Sequence, residues 1–225
     1  LVAFSDLLGT GQQHLIRIRH NEIRVWPNLG RGRFGKGQLF ATLPYTYEAF
    51  DSSQVRLADL DGSGASDVLY LQTNGFQVFM NRGGNGLAAP FDQRWPEGVR
   101  YDRFCQFSAV DLLGLGFSSL VLTVPHMAPR HWSLYYAADR AGSVRKPYLL
   151  KASDNNLGAA GEVSYRSSAQ EWLDEKNELR AAGSVAVSEL PFPVHVVVRQ
   201  TIQDKVTGNT LTQLFRYRQG FYDPR

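Results

Sequence analysis

The sequence predicts an all-β protein: a partial β-propeller of about three blades, followed by a second β-rich segment with one short helix. Three observations carry this prediction. A turn built on an aspartate recurs at near-constant spacing, and each copy leads into a short apolar run with the length of a strand. The composition, with 21 Gly, 10 Pro and 12% aromatic residues, also favours turns and sheets over long helices.

The repeat is an aspartate followed by a Gly-x-Gly sequence. It occurs at Asp6, Asp59 and Asp111, with offsets of 53 and 52 residues. A period of this size is typical of propeller blades, because one blade is a small sheet that cannot bury both of its faces alone. We therefore expect residues 1–147 to form successive antiparallel blades, with the three aspartates in equivalent structural turns.

Each aspartate turn leads into a strand, expected at residues 14–18, 68–71 and 119–122. In the first two units a second strand follows, at 21–28 and 74–81, and then a Gly-rich loop. Because side chains alternate across a strand, part of each apolar run should pack between blades. The expected core residues come from Leu15, Ile16, Ile18, Val68, Leu69, Leu71, Leu120, Val121 and Leu122. In the third unit a longer, solvent-facing loop at 125–131 precedes the next strand.

Residues 148–225 are predicted to form a β-rich segment. Ser168 to Glu171 has the form of a helix capping box, and Gly183 is a suitable helix stop. Trp172, Leu173 and Leu179 are spaced to form the apolar face of that helix. Two strands, at 194–200 and 210–217, are joined by a Gly- and Asn-containing turn that favours a hairpin.

The overall composition excludes several classes of function. A net charge of +3 is too small to indicate nucleic-acid binding. No apolar run is long enough for a membrane helix, so direct membrane insertion is not expected. A single cysteine, Cys105, allows no intrachain disulfide and favours folding in the cytosol. From its first and last residues, we expect the sequence to be a piece of a longer protein.

One of the three turns has the spacing of a calcium loop. Oxygen ligands at alternate positions would come from Asp59, Asp61, Ser63, the carbonyl of Ala65, and Asp67. The alternative is a metal-free turn whose aspartates bind backbone amides. The sister turns favour this alternative, since they have leucine at the position of Asp61 and His14 or Ser119 at that of Asp67. We therefore expect no cofactor, with calcium at this one loop as the open alternative.

The sequence contains no motif of a known catalytic site. Gly-x-Ser-x-Gly, His-Glu-x-x-His and phosphate-binding loops are all absent. We therefore predict that the chain is not an enzyme and has no catalytic residues.

Two groups of motifs resemble known families. The sequence Asp-x-Asp-Gly-x-Gly-x-x-Asp at 59–67, followed by Asn-Gly-Phe-Gln-Val-Phe, resembles the FG-GAP/VCBS propeller repeat. Further on, Leu-Pro-Phe-Pro-Val at 190–194 and Tyr-Arg-Gln-Gly-Phe-Tyr-Asp at 217–223 resemble the middle region of the B component of bacterial insecticidal toxin complexes (TcB/TcaC/TcdB type). SpvB-type virulence proteins share parts of this region.

This resemblance implies a non-catalytic structural and docking role. Residues 1–147 would be a propeller that docks onto the pore-forming A component. Residues 148–225 would begin a β-rich, Rhs/YD-type shell that encloses the C-terminal toxin polypeptide for translocation. Such a protein would be made in the bacterial cytoplasm and then secreted or released as part of the complex.

The long loop of the third unit is the expected contact with a partner, because it exceeds its sisters in length. Its anchors would be Arg130, His131 and Trp132, since arginine and aromatic side chains are common at binding hot spots. Taken without the toxin resemblance, the repeat leaves an alternative function open. This alternative is a calcium-supported adhesion or carbohydrate-binding propeller of the integrin or lectin type.

Overall fold

A computed structural model describes residues 1–136 and 144–223. In this part of the chain, short antiparallel strands form four sheets, with one α-helix and one turn of 3-10 helix at Ser52–Gln54. The predicted all-β class is confirmed. No helix of the described residues is long and apolar enough to cross a membrane. Part of the predicted first segment, residues 137–143, lies outside the described residues.

The first two sheets have the same strand order and the same antiparallel pairing. Sheet 1 contains β1 (Val2–Ser5), β2 (His14–Ile18), β3 (Glu22–Trp26) and β4 (Gln38–Thr42). Sheet 2 contains β5 (Val55–Ala58), β6 (Asp67–Gln72), β7 (Gly75–Phe79) and β8 (Phe91–Arg94). In both sheets the aspartate turn lies between the first and second strands.

Sheet 3 repeats this arrangement with three strands among the described residues. They are β9 (Gln106–Val110), β10 (Ser119–Thr123) and β11 (His131–Leu134), with β10 in the centre. Sheet 4 contains β12 (Ala152–Asp154), β13 (Ala159–Ser167), β14 (His195–Asp204) and β15 (Thr210–Leu214). The hairpin between β14 and β15 is closed by hydrogen bonds from the Asp204 amide to the Asn209 carbonyl and from the Gly208 amide to the Asp204 carbonyl, both at 2.8 Å.

The chain divides into two compact units. The first comprises Leu1–Val110 and Ser118–Val144, and the second comprises Asp111–Phe117 and the chain from Arg145 onward. The division near residue 144 lies close to the predicted boundary at 147. The third aspartate turn, Asp111–Phe117, groups with the second unit.

The core of the first unit lies between its sheets. Ile16, Ile18, Ile23 and Val25 of sheet 1 share one buried cluster with Val55, Val68, Tyr70 and Phe79 of sheet 2. Leu69, Leu71, Phe76 and Val78, on the other face of sheet 2, share a second cluster with Leu120 and Leu122 of sheet 3. Consecutive sheets therefore pack face to face, as blades would. Of the expected core residues, Leu15 and Val121 are only half-buried because they lie on the opposite faces of their strands.

The helix α1 (Ser168–Ala181) lies between β13 and β14 in the chain. Its N-cap is Ser167, one residue before the predicted capping box, and the Ser167 side chain accepts a hydrogen bond from the Ala169 amide. Gly183, with a φ of +72°, follows the helix as predicted.

The predicted apolar face of α1 is only partly buried, since Trp172 and Leu179 are half-buried and Leu173 is exposed. Leu173 is 46% exposed, and the buried side chain of the helix is Glu175. A carboxylate can occupy this position because it accepts a hydrogen bond from the Gln219 amide at 3.1 Å. The helix is therefore held in the second unit partly by polar contacts, which periodicity in the sequence does not reveal.

Candidate functional site

The three aspartate turns make the same pair of hydrogen bonds. Each carboxylate accepts from the backbone amides four and five residues further along the chain. The N–O distances are 3.1 and 2.6 Å for Asp6, 3.1 and 2.9 Å for Asp59, and 2.9 and 2.6 Å for Asp111. Both glycines of every Gly-x-Gly have a φ between +65° and +87°, a conformation that side chains disfavour. The motif is thus explained by local backbone geometry.

Consecutive repeats are also linked by backbone hydrogen bonds within the first unit. The Ser66 amide of the second turn donates to the Asp6 carbonyl of the first at 2.8 Å. In the same way, the Ser118 amide donates to the Asp59 carbonyl at 2.7 Å. Each repeat therefore contributes one acceptor to the repeat that follows it.

His14 and Asp67 have the same structural role in their two repeats. Nδ1 of His14 accepts a hydrogen bond from the Asn28 amide at 3.0 Å, and Oδ1 of Asp67 accepts one from the Asn81 amide at 2.7 Å. Both asparagines then accept from a glycine amide of the following loop at 2.8 Å. The turn motif does not predict this role, although the offset of 53 residues relates His14 to Asp67 and Asn28 to Asn81.

The carboxylates of the second turn lie close together. One oxygen atom each from Asp59, Asp61 and Asp67 lies within 4.8 Å of the other two, a donor set whose hard oxygens fit calcium. Burial raises the pKa of Asp67 to about 7, although amides of Asn81 and Leu60 oppose this shift by donating to its two oxygens. Burial also raises the pKa of Asp59.

The remaining predicted ligands add little to this cluster. Ser63 is exposed, and its Oγ lies 3.5 Å from the carbonyl oxygen of Ala65. The backbone hydrogen bonds of Asp59 and Asp67 account for the shape of the turn without an ion. The metal-free form of this turn stays a prediction, with calcium as the open alternative.

The long loop between β10 and β11 is closed by a hydrogen bond from the Val124 amide to the Arg130 carbonyl, at 2.8 Å. Arg130 and His131 are exposed, and Nδ1 of His131 lies 2.9 Å from Oγ1 of Thr123. Trp132 is half-buried and packs against the core cluster between sheets 2 and 3. Of the three predicted anchors, Arg130 and His131 are therefore the exposed ones.

A groove of about 440 Å³ lies in the second unit, between the acidic side of α1 and the residues around Phe215. Arg166 pairs with Glu171 at 2.8 Å and with Asp174 at 2.6 Å, and Arg218 pairs with Glu178 at 2.5 Å. These acidic and basic side chains therefore form ion pairs with one another. The residues that line the groove thus attach the Tyr-Arg-Gln-Gly segment at 217–220 to the helix. We therefore interpret the groove as a structural contact within the second unit.

A comparison with known protein families shows which family the chain belongs to. Residues 82–225 match the family described as the insecticide toxin TcdB middle/N-terminal region, and this match covers more than half of the chain. The chain belongs to the TcdB middle/N-terminal region family. The resemblance to a toxin B component inferred from the sequence motifs is therefore confirmed.

Solved structures support the assignment of this TcdB-family chain. The crystal structures of TcdB2-TccC3-Cdc42 and of TcdB2-TccC3 match it with 44% identity and a TM-score of 0.89, covering 100% of this chain and 10% of theirs. A Photorhabdus luminescens Tc holotoxin pore, with a mutation in TccC3, matches with 44% identity and a TM-score of 0.87, covering 99% and 10%. The TcdB-family chain thus spans about a tenth of these relatives. A comparison with curated proteins gives no match.

Proposed function

We propose that this region acts by binding, as the docking propeller and adjoining shell of a toxin-complex B component. Its partners in this proposal are the pore-forming A component and the C-terminal toxin polypeptide. The observation that carries the proposal is the 44% identity, over the whole chain, to chains of TcdB2-TccC3 and of a Tc holotoxin pore. The family assignment also favours this function over adhesion or carbohydrate binding.

The chemistry of the described residues supports binding over catalysis. The buried polar side chains at His14 and Asp67 hold backbone amides, and in the groove of the second unit Arg166 and Arg218 are paired with carboxylates of α1. Catalytic groups need access to a substrate, whereas these groups are occupied in maintaining the fold. The proposed role is therefore non-catalytic.

The first unit is well suited to provide a docking surface, because its loops project from closely packed sheets. A rigid scaffold with variable loops loses little entropy when it binds, and this raises affinity. Arg130 and His131 are the proposed contacts with the A component. They are exposed, and their loop is closed by its own backbone hydrogen bond.

The second unit suits contact with the toxin polypeptide. Leu211 is 58% exposed and Leu214 is 76% exposed on β15. An apolar surface of this kind can bind extended or unfolded chains through many weak contacts.

In this proposal the protein is made in the bacterial cytoplasm and released as part of the complex.

The direct test is a pull-down of the A component by the complete B component. In one variant, residues 125–131 are replaced by a short Gly-Ser turn, and in a second, Arg130 and His131 are both changed to alanine. We expect binding on the order of tenfold weaker, as for a loss of about 1.4 kcal/mol. Arg82→Ala, at an exposed arginine in another loop, is the matched control and should bind normally.

The two negative results have different meanings. Undiminished binding of both loop variants would remove this loop from the interface. Failure of the intact B component to bind the A component would contradict the proposed docking role itself.

A further inference from the structure

The first unit contains two asparagines that directly precede a glycine, Asn74 and Asn85. This dipeptide is chemically labile, because the backbone nitrogen of the second residue can attack the side-chain amide carbon of the first, and glycine has no Cβ to hinder the approach. In a folded protein, the attack depends on how firmly the local backbone is held. The two dipeptides therefore allow a direct comparison within one unit.

Asn74 is held in a tight hairpin. It is the second residue of the two-residue turn between β6 and β7, and Gly75 is the first residue of β7. Gly75 pairs with Gln72, and a turn this short is closed by hydrogen bonds between its flanking residues. Gly75 is also buried, and a Cβ there would collide with the Gln93 carbonyl oxygen. The Gly75 nitrogen is therefore fixed in the sheet and cannot approach the Asn74 side chain.

Asn85 lies in the loop between β7 and β8, where the backbone is held differently. Its side chain is exposed, and its Nδ2 lies 3.3 Å from the Arg82 carbonyl oxygen. The next residue, Gly86, has a φ of +104°, and its carbonyl accepts a hydrogen bond from the Arg82 amide at 2.9 Å. The Gly86 amide itself makes no hydrogen bond among residues 1–136 and 144–223. The attacking nitrogen of this dipeptide is therefore available.

The sister loop of sheet 1 shows that the available amide is specific to the second repeat. There Arg33, which precedes Gly86 by 53 positions, donates its amide to the Gly30 carbonyl at 3.0 Å. In the second repeat the Gly86 amide does not make the equivalent bond. Instead, the Asn85 amide donates to the Arg82 carbonyl at 3.2 Å. The two loops thus engage different amides, and only the second loop combines an asparagine with an unbonded glycine amide.

We propose that Asn85 is a site of spontaneous deamidation. The Gly86 nitrogen attacks Cγ of Asn85, the bond from Cγ to Nδ2 breaks, and ammonia leaves with the proton of the Gly86 amide. The product of this step is a succinimide ring. Water then adds to either carbonyl carbon of the ring and opens it, which leaves aspartate or isoaspartate at position 85. Water is the only co-reactant, and no electrons are transferred.

The modification changes a loop that contacts the first repeat. In the same loop, Nδ2 of Asn81 donates to the Leu7 carbonyl at 2.9 Å, and Gly84 lies so close to the Leu8 carbonyl that a Cβ would collide with it. Deamidation adds a negative charge to this loop, and isoaspartate also lengthens its backbone by a carbon atom. This chemistry does not depend on docking to the A component, so the two proposals can fail separately.

The test is peptide mapping by mass spectrometry of the complete B component, aged in its folded state at mildly alkaline pH. Trypsin cleaves after arginine, so Asn74 and Asn85 fall in separate peptides, 57–82 and 83–94. We expect peptide 83–94 to gain the mass of deamidation about tenfold faster than peptide 57–82, because the hairpin must open before Asn74 can react. Equal rates in the folded protein, or no gain in peptide 83–94, would overturn the proposal.

The unfolded protein provides the reference rate. In guanidinium chloride both asparagines precede a glycine in a flexible chain, so the two peptides should deamidate at rates within about twofold of each other. If peptide 83–94 reacted just as much faster in the unfolded protein, neighbouring residues and not the available Gly86 amide would set the rates, and the proposal would be wrong.

A variant and the chemistry of the product identify the reacting groups. Asn85→Gly gives the loop the residue that Gly32 provides in the sister loop, and peptide 83–94 should then gain no mass. A gain that persists in this variant would place the reaction at Gln93, the other amide side chain of the peptide, and would refute the assignment. Opening of a succinimide gives isoaspartate together with aspartate, whereas direct hydrolysis of the side chain gives aspartate alone. A product without isoaspartate would therefore exclude attack by Gly86.

Discussion

The two units of this chain bury different kinds of residues. The first buries large apolar side chains between stacked sheets, among them Leu69, Phe76 and Leu120 at no more than 1% exposure. In the described part of the second unit, the buried residues are Phe117, Ser167 and Glu175. Apolar burial therefore supports the first unit, whereas hydrogen bonds and strand pairing have a larger share in the second.

This difference shows that similar strands can be stabilised in different ways. Sheet 4 has the longest strands among the described residues, β13 and β14. Nevertheless, Leu214 on its edge strand β15 is 76% exposed, and Val206 in the turn between β14 and β15 is 82% exposed. Sheets 1 and 2 have shorter strands but are covered on the faces they share. Mutations that remove apolar volume and mutations that remove a hydrogen bond should thus affect the two units differently.

The largest effect is expected when apolar volume is removed from the first unit. Leu69→Ala should lower the free energy of unfolding by roughly 2 to 5 kcal/mol, because Leu69 is fully buried between sheets 2 and 3. Urea denaturation of the 225-residue chain measures this. The matched variant in the second unit is Leu211→Ala, at a leucine that is 58% exposed, and it should change stability by less than about 0.5 kcal/mol. Equal effects of the two variants would remove the contrast between the units.

The next effect concerns the buried carboxyl group of the first unit. The pKa of Asp67 is about 7 in the folded protein and about 4 in an unfolded chain. Between these values the folded state holds a proton that the unfolded state has lost. Stability should therefore fall as pH rises from about 4 to 7 and then level off, by a few kcal/mol at most.

Denaturation across this pH range, with a chelator present throughout, measures the slope. Asp67→Asn should be less stable, since its amide cannot accept from both Asn81 and Leu60, but it should lack this part of the pH dependence. A variant with the same slope as the wild type would show that another group is responsible.

A smaller effect is expected from a hydrogen bond of the second unit. Ser167→Ala removes the N-cap of α1 and the contact between the Ser167 hydroxyl and the Gly114 carbonyl, and should cost about 1 kcal/mol. Hydrogen exchange of the first helical amides measures this loss. Ser184→Ala, at an exposed serine beyond the helix, is the control. Unchanged exchange in Ser167→Ala would argue against polar contacts as a main support of this unit.

The smallest effect, none at all, is expected from removing calcium. The Asp6 and Asp111 turns make the same two hydrogen bonds as the Asp59 turn, although leucine replaces Asp61 in both. Chelation should therefore leave the melting temperature unchanged. A calorimetric titration with a clear single-site isotherm, abolished by Asp61→Ala, would contradict this expectation and set the second turn apart from its sisters.

Some features of the fold follow from short stretches of sequence. The aspartate turns depend on contacts across five residues and on glycines with positive φ, so their form can be predicted from the motif. The strands after the turns and the Gly183 stop of α1 are local in the same sense. The repeat and the two downstream motifs were also sufficient to predict the toxin family, which the comparison confirmed.

Other features depend on contacts that are distant in the sequence. Alternation separates the two faces of β2 but does not say that Ile16 meets another sheet while Leu15 is half-buried. The buried residue of α1 is Glu175 because a backbone amide 44 residues away reaches its carboxylate. The third aspartate turn groups with the second unit because its Gly114 carbonyl meets the N-cap of α1. Local hydrogen bonds are encoded by neighbouring residues, whereas burial depends on which surfaces meet, and only the folded chain decides that.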